Sequence, residues 1–223
     1  MPQANVMRWR DGNGWIVLSG SGDYRAGEDM GVEDIEAQAI ERAIAGKPIA
    51  YIFAAGDIDA ADDHLRSLED LGAPTGYLVD VTGEDDETLL RQLGEAGVII
   101  IGDGKQLEQL RSGLVGAAIE GIAAAFDDGA IILAEGTGAQ VLGGILTATK
   151  DAKPGMGWVE NVAIMPTFDD EPAKQRLRDL LLAHPAAYGL GIGTGSALAL
   201  GPGGEVEAWG KRQVTVMIGS NFK

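Results

Sequence analysis

Short apolar runs and longer amphipathic stretches alternate along the first two-thirds of the chain. Trp15-Ile-Val-Leu18 reads as a strand running into the glycine-rich turn Ser19-Gly20-Ser21-Gly22. Ile35, Ala39, Ile40, Ala43 and Ile44 then recur at helical spacing until Gly46-Lys47-Pro48 breaks the period. A second strand is predicted over Ile49 to Ala55. A second helix follows over Asp59 to Leu71, with Leu65, Leu68 and Leu71 inward and Gly72 as its stop. Tyr77 to Val81 and Glu84 to Glu95 repeat the pair. Val98-Ile-Ile-Ile101 is apolar at every position, as a parallel strand buried on both faces should be.

Leu107 to Leu110 opens another helix and Ala117 to Phe126 forms a further one. Ala130-Ile-Ile-Leu-Ala134 is a fifth buried strand, leading through Glu135-Gly136-Thr137-Gly138 into a helix from about Ala139. This order predicts an α/β fold with a doubly wound, mainly parallel, flavodoxin-like sheet and right-handed crossovers. After Pro154 the pattern changes to a helix over Glu171 to Ala183. Short strands follow near Leu190–Ile192, Ala197–Leu200, Val206–Trp209 and Gln213–Ile218. Gly201-Pro202-Gly203-Gly204 is a hairpin-like turn in this small C-terminal β segment. With no repeat, linker or low-complexity tract, residues 1–223 read as one domain.

Composition narrows the chemistry. The 223 residues include no cysteine, which excludes disulfides, thiol nucleophiles, thiolate zinc sites and iron–sulfur clusters. Two histidines, His64 and His184, leave little for a multi-histidine metal centre. The net charge of −17 argues against nucleic acid or an anionic membrane as partner. That charge is uneven: residues 1–100 carry 20 acids and 7 bases, residues 101–223 carry 14 and 10. A solubilising surface explains it best. No signal peptide or membrane-spanning run is visible, so the expectation is cytoplasmic.

In a doubly wound sheet, ligands bind beyond the carboxyl ends of the strands. The sharpest feature there is Ala134-Glu135-Gly136-Thr137-Gly138-Ala139, a strand-to-helix turn of small residues. Such an elbow lifts its central residue above the sheet and aims the next helix's free N–H groups at it. In hydrolases that residue is the nucleophile; here it is Gly136.

These motifs resemble the cyanophycinase/dipeptidase E family of serine peptidases, which have a class I glutamine amidotransferase-like fold. The family elbow Gly-Thr-Ser-Ala-Gly-Ala, matched through Gly138-Ala139, places its serine at Gly136. Its Gly-Gly-Asp-Gln loop resembles Asp103-Gly104-Lys105-Gln106, with Leu110 matching a following leucine. Ile52-Phe-Ala-Ala-Gly-Asp57, Leu71-Gly72, His184-Pro185 and Gly189–Ile192 are similar to further family segments, so the resemblance covers about residues 14–201. It implies a homodimer, an oxyanion or carbonyl cradle at Gly104 and Gln106, and no cofactor.

The departures fall on the catalytic positions. The family's histidine base, followed by phenylalanine, matches Thr167 before Phe168. Its acid, in a Gly-Ile-Asp-Glu-x-Thr-Ala stretch, matches Thr194. A Ser-His-acid mechanism needs an ionisable base beside its nucleophile. With Gly136, Thr167 and Thr194 there, the expectation is an inactive homologue without catalytic residues. It keeps a cleft for a small molecule or short peptide around Gly104, Gln106, Glu135, Gly136, Thr137, Thr167 and Thr194. The alternative is an active peptidase using Thr137 or Glu135, although Thr137 fits a helix start and Glu135 a structural hydrogen bond. A third reading is a structural oligomer subunit.

Three other signals lead nowhere. His64, in Asp62-Asp63-His64-Leu65, reads as a surface residue, and His184 as a helix-end residue near the C-terminal dipole. Gly20-Ser21-Gly22, with Arg25 in place of a third glycine, and Gly191-Ile192-Gly193-Thr194-Gly195, before a strand, both fail as dinucleotide fingerprints. Asp57, Asp59, Asp62 and Asp63 lack the glycine and terminal glutamate of a calcium loop, and capping by Asp57 or Asp59 explains them better. No metal site is expected.

Overall fold

The computed structural model describes residues 7–21, 31–147, 153–185 and 187–221. Its elements run β1 (Arg8–Trp9), β2 (Trp15–Ser19), α1 (Val32–Arg42), β3 (Ile49–Ile52), α2 (Ile58–Asp70), β4 (Gly76–Val79), α3 (Asp86–Glu95) and β5 (Val98–Ile101). They continue with α4 (Leu107–Leu114), α5 (Ala117–Asp127), β6 (Ile131–Glu135), α6 (Thr137–Leu142), β7 (Gly143–Ile145) and β8 (Val159–Pro166). The chain closes with α7 (Glu171–Ala183), β9 (Tyr188–Ile192), β10 (Ser196–Leu200), β11 (Val206–Gly210) and β12 (Val214–Ile218).

The main sheet has the order β11-β10-β2-β6-β5-β3-β4. Strands β2, β6, β5, β3 and β4 are parallel, and β10 and β11 add an antiparallel hairpin at one edge. Every residue of β5 and β6 is buried, which is why their sequences show no polar alternation. Helices α1 and α2 cover one face, packing Ile35, Ala39, Leu65 and Leu68 onto Val17, Tyr51 and Leu133. The other face carries α3 to α6, with Leu93, Leu110, Ile122 and Val141 over Leu18, Ile52, Ile101 and Ala134.

The C-terminal β segment is not one unit. Strands β10 and β11 extend the main sheet, while β9 and β12 join β8, β1 and β7 in a second sheet. The expected C-terminal β segment is present, and its strands are divided between the two sheets. No strand is predicted over the eight residues of β8, where Val162, Ala163, Ile164 and Met165 form a buried run as long as Val98–Ile101 but with only two β-branched residues in it. Helix α7 seals the far side of this sheet with Ala173 and Leu177 against Met165 and Phe168. No described helix is long and apolar enough to cross a membrane.

Register brings the chemistry together. Ser19 lies beside Glu135, Leu18 and Ile101 beside Ala134, and Ile52 beside Ile101. The loops after β2, β6, β5 and β3 therefore leave the sheet side by side. Between β3 and β5 the chain changes faces, since α2 follows β3 on one side and α4 follows β5 on the other. That is where a doubly wound sheet opens a crevice.

Candidate functional site

Gly136 joins β6 to α6 with φ 48° and ψ −108°. This left-handed turn is strained for any residue with a Cβ, and it is the backbone of a nucleophile elbow with no side chain on it. The place of that side chain is taken. A Cβ on Gly136 would lie 2.2–2.3 Å from all three carboxyl atoms of Asp103. Asp103 is fixed there by three donors: the Ser21 hydroxyl at 2.6 Å, the Gly104 N–H at 2.7 Å and the Thr137 N–H at 2.8 Å.

The N–H after an elbow residue and the N–H of a facing loop are the donors that receive a developing oxyanion in such folds. Here both point at an internal carboxylate. Gly104 has to be glycine because a Cβ would stand 1.8 Å from the Ala55 carbonyl oxygen. The same carbonyl accepts the Gln106 N–H at 3.1 Å, leaving the Gln106 side chain exposed at the start of α4. The Thr137 hydroxyl donates to the Gly104 carbonyl at 2.5 Å, and the residue is buried as the first of α6.

Thr167 and Thr194 sit on the ends of the second sheet. Thr167 has φ 52°, an outlier for a β-branched residue, and its N–H donates to the Gly20 carbonyl at 3.1 Å. Gly20 is the neighbour of Ser19, whose carbonyl accepts the Gly136 N–H at 3.0 Å, so Thr167 adjoins the elbow through one loop. Thr194 donates both its N–H and its hydroxyl, the latter at 2.5 Å, to Asp169, two residues past Thr167. The two loops are thus tied together through the Asp169 carboxylate, and neither threonine is itself a base. Of the expected cleft residues, Gly104, Gly136 and Thr137 meet around Asp103, while Gln106, Thr167 and Thr194 donate to Ala55, Gly20 and Asp169.

Glu135 turns the other way. It shares the face of Leu133, under α1 and α2, and is nine-tenths buried. There it joins a side-chain network absent from the sequence reading, and His64 is its centre. The expectation of a surface His64 is corrected: the residue is 5% exposed. Its Nε2 lies 2.6 Å from the Glu36 carboxylate, itself buried on α1, and its Nδ1 lies 3.0 Å from the Tyr51 hydroxyl. Tyr51 is also hydrogen-bonded to Glu135, whose carboxylate is 3.9 Å from His64 Nδ1. The acidic neighbours Asp62 and Asp63 misled because they face outward to Arg66. The helical spacing of Ala61, His64, Leu65 and Leu68 was the usable signal.

Burial pushes the Glu135 carboxyl up to about 7, with Glu36 and Asp103 adding to the rise and His64 and Tyr51 opposing it. Burial also pulls the His64 imidazole down, but Glu135 and Glu36 more than reverse this, and it stands above its ordinary value. Glu36, His64 and Glu135 each place one potential ligand atom within 4.8 Å of the others. Their arrangement is that of a proton network: the 2.6 Å between Glu36 and His64 is shorter than the about 3.3 Å separating two ligands of a tetrahedral ion. The Tyr51 hydroxyl, bonded to both His64 and Glu135, would also have to be displaced. Asp57 caps α2, accepting from the N–H groups of Asp59 and Ala60. His184 is the C-terminal cap of α7. Gly22 and Arg25 lie outside the described residues.

No protein-family profile and no curated protein matches the chain. Solved structures do. A peptidase from an acI-B1 actinobacterium superposes with a TM-score of 0.72 at 20% identity, over 94% of this chain and 96% of that one. A protein from Listeria monocytogenes EGD-e described as a peptidase E superposes with a TM-score of 0.65 at 16% identity, over 92% and 99%. At these identities the likeness is one of fold, and it extends over nearly the whole of each chain.

Proposed function

We propose that the chain is a relative of the peptidase E and cyanophycinase proteins that has lost serine-peptidase hydrolysis and works by binding a small molecule or short peptide. The observation that carries this reading is the Asp103 carboxylate standing where the nucleophile's side chain would project. Acyl transfer at an elbow needs a nucleophile, a base and free oxyanion donors. Gly136 supplies no nucleophile, Thr167 no base, and the Thr137 and Gly104 N–H groups are engaged by Asp103. A carboxylate in that cradle occupies the position of a bound acid product. Thr137 does not replace the serine, since its hydroxyl donates to a carbonyl rather than to a base. Glu135 retains acid–base capacity, but in the network with Glu36, Tyr51 and His64 rather than with Thr137.

The test is an assay of β-Asp-Arg and Asp-X dipeptides, run beside thermal shift with the same peptides. The reading expects no cleavage above the uncatalysed rate and a rise in Tm with a binding peptide. Cleavage that disappears in Thr137→Ala or Glu135→Gln would overturn it.

A further inference from the structure

Beside the network lies a cavity of about 150 Å³ at the carboxyl ends of β2, β3 and β6, walled in part by Ser19, Ser21, Phe53, Asp57, Asp103 and Glu135. Tyr51 and His64 reach it from below, and Val32, Ala60 and Ala61 give it an apolar side. Three carboxylates line this space, and among the described residues no lysine or arginine does. Among the described residues that line it, the one ionisable side-chain nitrogen group is the His64 imidazole, matched at 2.6 Å by Glu36, which is not part of the lining. Asp103 is held by neutral donors. Among the described residues, the basic group nearest Glu135 is thus the His64 imidazole, which is already paired with another acid. A buried carboxylate in that position takes a proton or a cation.

We propose that this cavity binds a small organic cation, a primary ammonium or guanidinium head on a short body, with Glu135 as its buried charge partner and Asp57 as its exposed one. The proposal rests on the binding function above and gives it a ligand class and a place. The Ser19 and Ser21 hydroxyls suit the remaining N–H groups, and the Phe53 and Tyr51 rings add surface favourable to a cation. A cavity of this volume takes a benzene-sized body.

Binding is coupled to pH. Glu135 is faced by Glu36 from α1, Tyr51 from β3, His64 from α2 and Asp103 from the loop after β5. With its carboxyl near 7, the ionised fraction rises about tenfold from pH 6 to pH 8. Affinity for a cation follows it, with release of a proton.

Calorimetric titration and thermal shift of the whole chain test this with benzylamine, butylamine and butylguanidine, against benzyl alcohol, butyrate and Mn²⁺ or Zn²⁺ alone. The expected result is saturable binding of an amine or guanidine, about tenfold tighter at pH 8 than at pH 6. Glu135→Gln should weaken it at least tenfold. Asp57→Asn, which keeps the α2 cap because asparagine caps as well as aspartate, should weaken it severalfold. Equal binding of benzyl alcohol, binding unaffected by both variants, preference for the metal ions, or no binding by any amine would each overturn the proposal. Dipeptide cleavage with amine binding intact would overturn the binding-protein reading and leave the cation site standing.

Discussion

Two regions meet at the Gly136 turn and are built on opposite principles. Around the turn itself, Asp103 is held by backbone N–H groups and a serine hydroxyl, all neutral donors from adjoining loops. Behind it, Glu36, His64, Tyr51 and Glu135 come from α1, α2, β3 and β6 and hold one another through buried ionisable side chains. The first region is a cradle filled by the chain's own carboxylate. The second is a charged network beside an open cavity. The contrast teaches that an emptied elbow need not leave a featureless molecule, because polar chemistry persists one residue away on the other face of the same strand.

The largest expected effect breaks the rear network. His64→Leu leaves Glu36 and Glu135 buried without a cation between them and should cost about 3–5 kcal/mol in urea unfolding. The double variant Glu36→Leu, His64→Leu should recover part of that loss. A cost below about 1 kcal/mol for His64→Leu alone would show that the network is not ionic.

Next comes pH. Glu135 keeps its proton up to about 7 in the folded chain, whereas an ordinary glutamate near 4.5 has lost it in the unfolded chain. Stability therefore falls as pH rises from about 4.5 to about 7, by roughly 3 kcal/mol from this group, and levels off above. His64 acts in the same direction. Its raised value gives stability that is full below its ordinary 6.5 and lost as pH rises through the folded value. Denaturation profiles of Glu135→Gln should lose the lower part of this slope and shrink the upper part, because Glu135 is the largest of the influences that raise His64.

Smaller effects contrast the two loops. Thr167→Gly should raise stability by about 1 kcal/mol, because glycine accepts φ 52° without strain. A loss instead would mean that the side chain contributes more than the strain it carries. Asp57→Ala, on the cavity side, should cost about 1 kcal/mol through the lost α2 cap, and Asp57→Asn only a few tenths.

Most of the fold could be read in advance because apolar period reports secondary structure directly. Val98–Ile101 and Glu171–Ala183 fall where periodicity puts them. The second sheet escaped because β8 has few β-branched residues in its apolar run, and because β9 and β12 differ from β10 and β11 only in which neighbours they choose. Pairing of that kind is a long-range outcome. The same reasoning divides the site. Gly104, Gly136 and Thr137 carry their backbone roles in local motif spacing. Glu36 and His64 are 28 residues apart and bond only because α1 and α2 lie on one face of the sheet. Surrounded in sequence by aspartates, His64 looked solvated, although its helical neighbours Ala61, Leu65 and Leu68 are all buried.

The Gly136→Ser and Asp103→Ala double-mutant cycle in urea unfolding tests whether Asp103 fills the place of the elbow side chain. Gly136→Ser alone should cost about 2–4 kcal/mol, because its Cβ lands on the Asp103 carboxyl and its φ stays at 48°. In the Asp103→Ala background that cost should drop by at least about 1 kcal/mol, a coupling typical of residues in contact. Additive effects, with Gly136→Ser equally costly or equally harmless in both backgrounds, would contradict the account.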